Sequence, residues 1–443
     1  MEIEEWKKKN FKRRNYAHFD PKVSLVEVWN YISNPNNIRI HSFYPFIHYQ
    51  LVYKRFKKSE GISEKTREIC YSAHIDRYIF QYYGYLINQI YNQKVITYGI
   101  NDIAIAYRDN LKKNNIHFAK QAIDFIRSCK NCFIIVGDFT DFFDRLDHNY
   151  LKIMLKELMD KKSLPPDYYA IYKNITKYSK WDLESLLKLN GLPNTKSGIK
   201  QLNQKSKALT LTEFKKYKDS YQKPNIRGYG IPQGSDISAV LSNVYMINFD
   251  QKINNYIKKN EGFYMRYCDD FIIILPKKDI SIFKQQYINI HNIIQLIPGL
   301  KLQAEKTQIF SFDFNQVKSC NNLVSSNMKN GKNILNYLGF SFDGKLVTIR
   351  DKTISKYYYR MHRKLRNIKD CQGISKSGKK ISNKILYEKY SIRGAFKDKG
   401  NFITYVKKAE KIFGKDEAVN KVIINHMNKI GRQLNEIKAS RKG

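Results

Sequence analysis

No apolar run in these 443 residues reaches the ~18–20 positions that a membrane-crossing helix needs. The opening stretch, MEIEEWKKKN, puts acids first and has no apolar centre, so no secretory signal is read there. Cysteine is scarce and scattered, with six at positions 70, 129, 132, 268, 320 and 371. Only Cys129 and Cys132 form a C-x-x-C, and a structural zinc site would want a second pair. These absences point to reduced thiols in a cytoplasmic protein with no membrane partner. Internal repeats and long low-complexity linkers are also lacking.

Acidic residues are few against the basic ones: 40 Asp and Glu face 79 Lys and Arg, a net charge of +39. A chain with that surplus repels itself unless something acidic neutralises it. Nucleic acid fits, because each neutralised phosphate releases condensed counterions. A generally lysine-rich proteome is the plainer source of the same charge. Hydrophobic residues make up 42% and aromatics 14%, enough for two or three packed subdomains.

Along the chain, residues 1–128 show helical spacing with many aromatics, as in IDRYIFQYYGYLINQIY (75–91). CFIIVGDF (132–139) suits a buried strand, and a helix is expected over about 144–161, stopped by Leu-Pro-Pro at 164–166. Residues 165–225 are polar and lysine-rich, with no strong strand signal. GYGIPQGSDIS (228–238) is a glycine-bearing turn leading into a helix. FYMRYCDDFIIIL (263–275) reads as a hairpin with two acids at its tip. A helix over 281–297, a strand-like segment over 300–312 and a strand pair over 336–350, turning at Asp343-Gly344, follow. From Thr353 onward the pattern is helical and basic, with a loop at 377–380. The order predicts an α+β fold: a sheet with helices on one side, then a helical C-terminal part.

Three carboxylates stand out. Asp138 ends an apolar strand, and Asp269 and Asp270 sit at a hairpin tip. If those strands are neighbours, the acids converge, and like charges so close are costly to ionise together. A bound dication removes that cost, and oxygen ligands with open positions favour Mg²⁺. Two such ions suit an in-line phosphoryl displacement. Singly, each acid has a plainer reading as a cap or turn residue.

The motifs together resemble a reverse transcriptase from about residue 50 onward. VGDFTDFFDRLDH (136–148) is similar to that family's first catalytic motif, and GIPQGSDISAVLSNVYM (230–246) to its template and nucleotide grip. RYCDDFIIIL (266–275) carries the Y-x-D-D signature. LKLQAEKTQIF (300–310) and NYLGFSF (336–342) resemble the motifs that follow, the second being a primer grip. The resemblance implies a right-hand polymerase fold with fingers, a palm of antiparallel sheet plus helices, and a short basic helical thumb. Residues 1–128 would hold the N-terminal segment and fingers. Residues 129–350 would form the palm, with a mostly helical insertion at about 162–225, and 351–443 the thumb.

It also implies roles. Asp138, Asp269, Asp270 and the Phe139 carbonyl would hold two Mg²⁺ ions, or Mn²⁺ in their place. Phe143 would exclude a ribose 2′-OH, while Gln233, Lys306, Arg67 and Lys65 would contact the nucleotide. Gly234, Tyr267, Tyr337, Leu338 and Gly339 would meet template or primer. Arg360, Arg363, Lys364 and Arg366, in the tyrosine-rich run 355–369, would track phosphates.

Among such enzymes, the chain ends too soon for a maturase extension plus nuclease. It lacks retron Asn-Ala-x-x-His and Val-Thr-Gly motifs, since Val347-Thr348 precedes Ile349. It has Gly234-Ser235 where diversity-generating enzymes show Ser-Gln. What remains resembles the bacterial "unknown group" of defence-associated, abortive-infection-like reverse transcriptases, with type 2 fitting by size. That resemblance implies a structured noncoding RNA template, dNTPs, a DNA product and antiphage immunity in the bacterial cytoplasm. An RNA-dependent RNA polymerase and a silent RNA-binding scaffold stay open as alternatives, as do priming by a protein hydroxyl and any oligomeric state.

Overall fold

The computed structural model describes residues 2–57, 61–303, 306–324, 328–371, 374, 383–395, 400–420, 430–433 and 435. Loop 377–380 and the positions 304–305 within the expected strand 300–312 lie outside them.

Twelve strands form three sheets among the described residues. The N-terminal region contributes β1 (Phe46–Lys57) and β2 (Gly61–Tyr71). The apolar run expected around 132–139 is β3 (Asn131–Asp138). β4 (Ser179–Asp182) and β5 (Lys223–Pro224) are short. The expected hairpin is β6 (Phe263–Tyr267) and β7 (Asp270–Pro276). β8 (Gln308–Asp313) and β9 (Gln316–Ser319) follow. The last three are β10 (Leu335–Tyr337), β11 (Phe340–Phe342) and β12 (Val347–Ile349).

The central sheet runs β6-β7-β3-β8-β9, antiparallel throughout. β3 is buried on both faces, which explains its continuous apolar sequence in place of a polar alternation. Phe133 and Ile135 join the core that holds helices His74–Thr97, Asp236–Tyr245, Ile247–Lys259 and Ile280–Gln295. Phe133 stacks on Phe283 with ring centroids 4.1 Å apart. Cys132 and Ile134 face the other way, onto helices Asn115–Cys129 and Phe402–Phe413 and the β10-β11-β12 sheet. Helices therefore cover both faces, not the one side expected. Period-2 alternation cannot reveal this, because a strand buried twice has none.

Two further expectations change. The helix over about 144–161 is two, Phe142–Arg145 and His148–Leu158. Asp147 divides them as an N-cap, its carboxylate accepting the Tyr150 N–H at 2.8 Å. The strand pair over 336–350 is three strands. An extra turn falls at Leu338 and Gly339, both at positive φ (45° and 92°), before the expected one at Asp343-Gly344.

The mostly helical segment at about 162–225 is found, with helices Pro166–Thr176, Leu183–Leu189, Lys196–Leu202 and Leu211–Tyr221. Its strands were not anticipated. β4 pairs in parallel with β1 and antiparallel with β5, and the sheet reads β2-β1-β4-β5. Fully buried Trp181 anchors this junction among Phe19, Ile47 and Leu186. A four-residue strand, SKWD, is too short to show periodicity, and the β1-β2 hairpin carries charges along much of its length.

Gly137, one residue before Asp138, is register partner to Phe271. A Cβ there would stand 2.3 Å from the Phe271 ring, itself fully buried. Gly137→Ala should therefore overpack the sheet and cost about 1–3 kcal/mol. Urea unfolding would show this as a lowered midpoint at unchanged slope.

Candidate active site

The apolar pairing of β3 with β7 carries three acids to one edge. Asp138 and Asp270 are direct register partners at the end of that pairing, so their side chains share a face. Asp269 lies in the turn between β6 and β7, just after Cys268, which sits at φ 61°. The backbone closes the corner: the Phe139 N–H donates to the Asp269 carbonyl at 3.3 Å.

Crowding shows in the electrostatics. Burial raises the Asp269 pKa, and the neighbouring Asp138 carboxylate raises it further. The Asp270 side is open to solvent, but the protein packed around it removes much of its water. That desolvation, with repulsion from Asp269 and Asp138, pushes its carboxyl up to about 7 against the opposing pull of Lys306 and Arg350. Lys306 forms an ion pair with Asp138 Oδ2. The other Asp138 oxygen, Oδ1, is buried and accepts no hydrogen bond.

These donors suit a hard cation: adjacent carboxylates, one of them with a buried oxygen that accepts no hydrogen bond. Among the described residues, no three His, Cys, Asp or Glu side chains are preassembled around an ion position. Mg²⁺ does not require that, since it binds through one or two carboxylates and takes waters or substrate phosphates for the rest.

A second set of contacts laces the 228–234 loop to the segment after Asp138. Ile231 N–H donates to the Phe143 carbonyl at 2.9 Å and Gly230 N–H to the Leu146 carbonyl at 2.8 Å. Gln233 Nε2 donates to Asp144 Oδ2 at 2.7 Å. Burial raises the Asp144 pKa, and this bond offsets part of the rise. The Phe143 ring is half-buried and meets Phe142 edge-on. Gly234 takes φ 106°, where a Cβ would stand 2.5 Å from the Cys70 carbonyl, so close backbone approach requires glycine. The Cys70 N–H in turn donates to the Gln233 carbonyl at 2.8 Å, tying the end of β2 to this loop. Arg67 and Lys65 lie further out on β2, on one face, with the Arg67 guanidinium 5.9 Å from the Tyr53 ring centre.

The other residues expected at the nucleic acid are spread over three places: β6, β10 with the turn after it, and helix Asp351–Asp370. Tyr267 is half-buried beside the acids and pairs in register with Asp270. Tyr337 differs from expectation: its ring is buried in the second core, with its hydroxyl unbonded, and does not face outward. Strand alternation turns it inward and leaves the Leu338–Gly339 turn at the surface. Asn115 Nδ2 holds the Leu338 carbonyl at 2.9 Å. On helix Asp351–Asp370, Tyr357, Met361, Leu365 and Ile368 form the buried stripe. Arg360, Arg363 and Arg366 are exposed, and Lys364 is half-buried.

Sequence reading assigned no part to Arg350, which acts on Asp270, or to Asp144. It also missed a buried group under the hairpin. Arg266, fully buried in β6, forks onto Asp250 with bonds of 2.8 and 2.6 Å. Both left a trace: an arginine in an apolar strand, and an aspartate at a core position of the helix between Ile247 and Ile253.

Residues 93–342 match the family model described as reverse transcriptase (RNA-dependent DNA polymerase). That stretch is more than half of the chain, and the chain belongs to this family, whose right-hand α+β fold accounts for the antiparallel sheet and its edge of acids. No match to a curated protein is found. Among solved structures, the chain is similar to an apo telomerase from Candida tropicalis truncated from its C-terminal domain, at 11% identity and a TM-score of 0.41. It covers 74% of this chain and the chain spans 61% of that one. A telomerase from Candida albicans in complex with a telomeric RNA fragment is similar at 14% identity and a TM-score of 0.39, covering 93% and 68%. No helix among the described residues is long and apolar enough to cross a membrane.

The raised Asp270 pKa has a consequence for stability. Folded Asp270 holds its proton more tightly than the unfolded chain does, whose carboxyl titrates near 3.8. Stability from this group is present below that value and is lost as pH rises through about 7. In metal-free buffer, Asp270→Asn should therefore melt higher than wild type at pH 8 and no higher at pH 4. Calorimetric Tm values across that range check the sign.

Proposed function

We propose that this chain is an RNA-directed DNA polymerase working by metal-assisted nucleotidyl transfer. The observation that carries the reading is the placement of Asp138 beside Asp269 at the sheet edge, with an unused carboxylate oxygen, in a reverse transcriptase family member. Asp138, Asp269, Asp270 and the Phe139 carbonyl are the groups that would hold two Mg²⁺ ions, or Mn²⁺. Bound there, such ions supply charge neutralisation for the attacking 3′ oxygen and the departing pyrophosphate.

The remaining parts position the reactants. Lys65 and Arg67 on β2 approach the triphosphate, and Lys306 leaves Asp138 to meet its charge. Phe143 presents a ring to the sugar C2′, where hydrogen fits and hydroxyl does not. Gln233 and Gly234 shape the floor under the base pair, with Asp144 holding the Gln233 amide. Tyr267 and the Leu338–Gly339 turn meet the primer end. Arg360, Arg363, Lys364 and Arg366 follow the duplex backbone, in keeping with the +39 charge. In this reading residues 1–128 form the fingers region, 129–350 the palm and 351–443 the thumb. The template is a structured noncoding RNA and the setting is bacterial antiphage defence, as the motif-level resemblance implies.

Primer extension on an RNA template with dNTPs and Mg²⁺ tests the reaction. Wild type should extend, and Asp269→Ala should lose at least about 10³-fold, as expected when a main electrostatic element is removed. Equal products from both, or none from wild type on any template, would favour an RNA-binding scaffold. Phe143→Ala should admit ribonucleotides, read as a fall in the dNTP over rNTP ratio of kcat/KM by about 10- to 100-fold. That is the scale of a small steric contact or two in a pocket. An unchanged ratio would remove Phe143 from this role and leave RNA synthesis as the competitor.

A further inference from the structure

Beneath the hairpin tip lies a charged group that no step above uses. Arg266 and Asp250 are both fully buried. The guanidinium Nε and Nη2 donate to the two carboxylate oxygens, and the Tyr264 hydroxyl donates to Asp250 Oδ1 at 2.8 Å. Two fork positions are thereby spent on Asp250. The remaining nitrogen, Nη1, donates to the Cys268 carbonyl at 2.8 Å, with Asn243 Oδ1 at 3.4 Å. Cys268 is the left-handed residue of the catalytic turn. Asn243 Nδ2 also holds the Ala106 carbonyl at 2.9 Å, and the Arg266 backbone exchanges bonds with Ile103 and Ile105. The turn that presents Asp269 is thus held at the Cys268 carbonyl by the Arg266 side chain, itself fixed by Asp250 and Asn243, while the Tyr107 hydroxyl donates to Cys268 Sγ at 3.3 Å.

Burying this pair is costly, and an apolar pair of similar volume often serves stability as well or better. A bond to the Cys268 carbonyl is something no apolar side chain can replace. With that carbonyl pinned inward, the next peptide plane is fixed, and the Asp269 side chain points at Asp138. We propose that Arg266 is a positioning residue for the metal-binding turn, held in place by Asp250, and that its bond to the Cys268 carbonyl sets the Asp138–Asp269 geometry before any ion binds. This rests on the polymerase reading of the three acids.

The test compares Arg266→Lys and the double variant Arg266→Met/Asp250→Leu with wild type and Asp269→Asn, in the full chain. Lysine keeps the charge opposite Asp250 but cannot fork to the Cys268 carbonyl as well. The double variant removes both charges without leaving one unpaired. Three quantities are read: thermal midpoint, Mn²⁺ affinity from the free-ion paramagnetic resonance signal, and the split of kcat from KM for dNTP. Both variants should fold. Both should lose roughly 10–100-fold in Mn²⁺ affinity and in kcat, the usual scale for a group that orients a ligand, with KM for dNTP near wild type. A double variant that folds with wild-type Mn²⁺ affinity and kcat would overturn the proposal. So would an unaffected Arg266→Lys, and so would loss of fold in both, which would assign the pair to the core alone. Failure of the polymerase reading looks different. Wild type would then extend no primer, while Mn²⁺ affinity would still follow Arg266 and Asp269.

Discussion

The pairing of β3 between β7 and β8 is the constraint on which the rest depends. Seven register pairs, from Cys132↔Pro276 to Asp138↔Asp270, run along one apolar seam. A slip of one residue would turn every side chain of β3 to the opposite face. Phe133 would leave Phe283, and Asp138 would leave the face it shares with Asp270. The same burial that makes the slip unfavourable brings the acids together. Core packing and site geometry are therefore one interaction viewed at two ends of the strand.

The loop at 228–234 shows how the site's second wall is built without a sheet. It is held by backbone donors to Phe143 and Leu146, by the Gln233–Asp144 bond and by Cys70. These contacts fasten it to two parts of the chain: the short helix Phe142–Arg145 with Leu146 that follows it, and the end of β2. Movement of the β1-β2 hairpin would be felt at Gln233 through a single hydrogen bond, and at Gly234 through van der Waals contact with the Cys70 carbonyl.

Much of the central sheet was legible because its strands are uniformly apolar and end in acids or turns. The Y-x-D-D hairpin was found within one or two residues of its bounds. The edge elements were not legible. β4 spans four residues, and β2 reads GISEKTREICY, whose polar character suits an exposed hairpin face as well as a helix. Tyr337 was expected at the template or primer because a motif names a residue type and not the side of the strand it occupies, and its ring is buried. Arg266 was quoted inside its motif and given no role, since partners for a buried charge come from elsewhere in the chain. Its partner Asp250 is sixteen positions back on another element. The acids themselves were legible as a group, but the way Asp138 raises the Asp269 pKa, and both raise that of Asp270, needed their spacing in three dimensions.

The parallel pairing of β1 with β4 joins Phe46 to Lys180 and His48 to Asp182. During synthesis the β1-β2 hairpin emerges long before its third strand exists. Until residues near 182 leave the ribosome, β1 has an unpaired edge, and His48 lacks its Asp182 partner at 2.8 Å. Contacts this far apart in sequence form late and slowly. The nascent chain therefore exposes a sticky strand edge over the interval in which all of β3 is made.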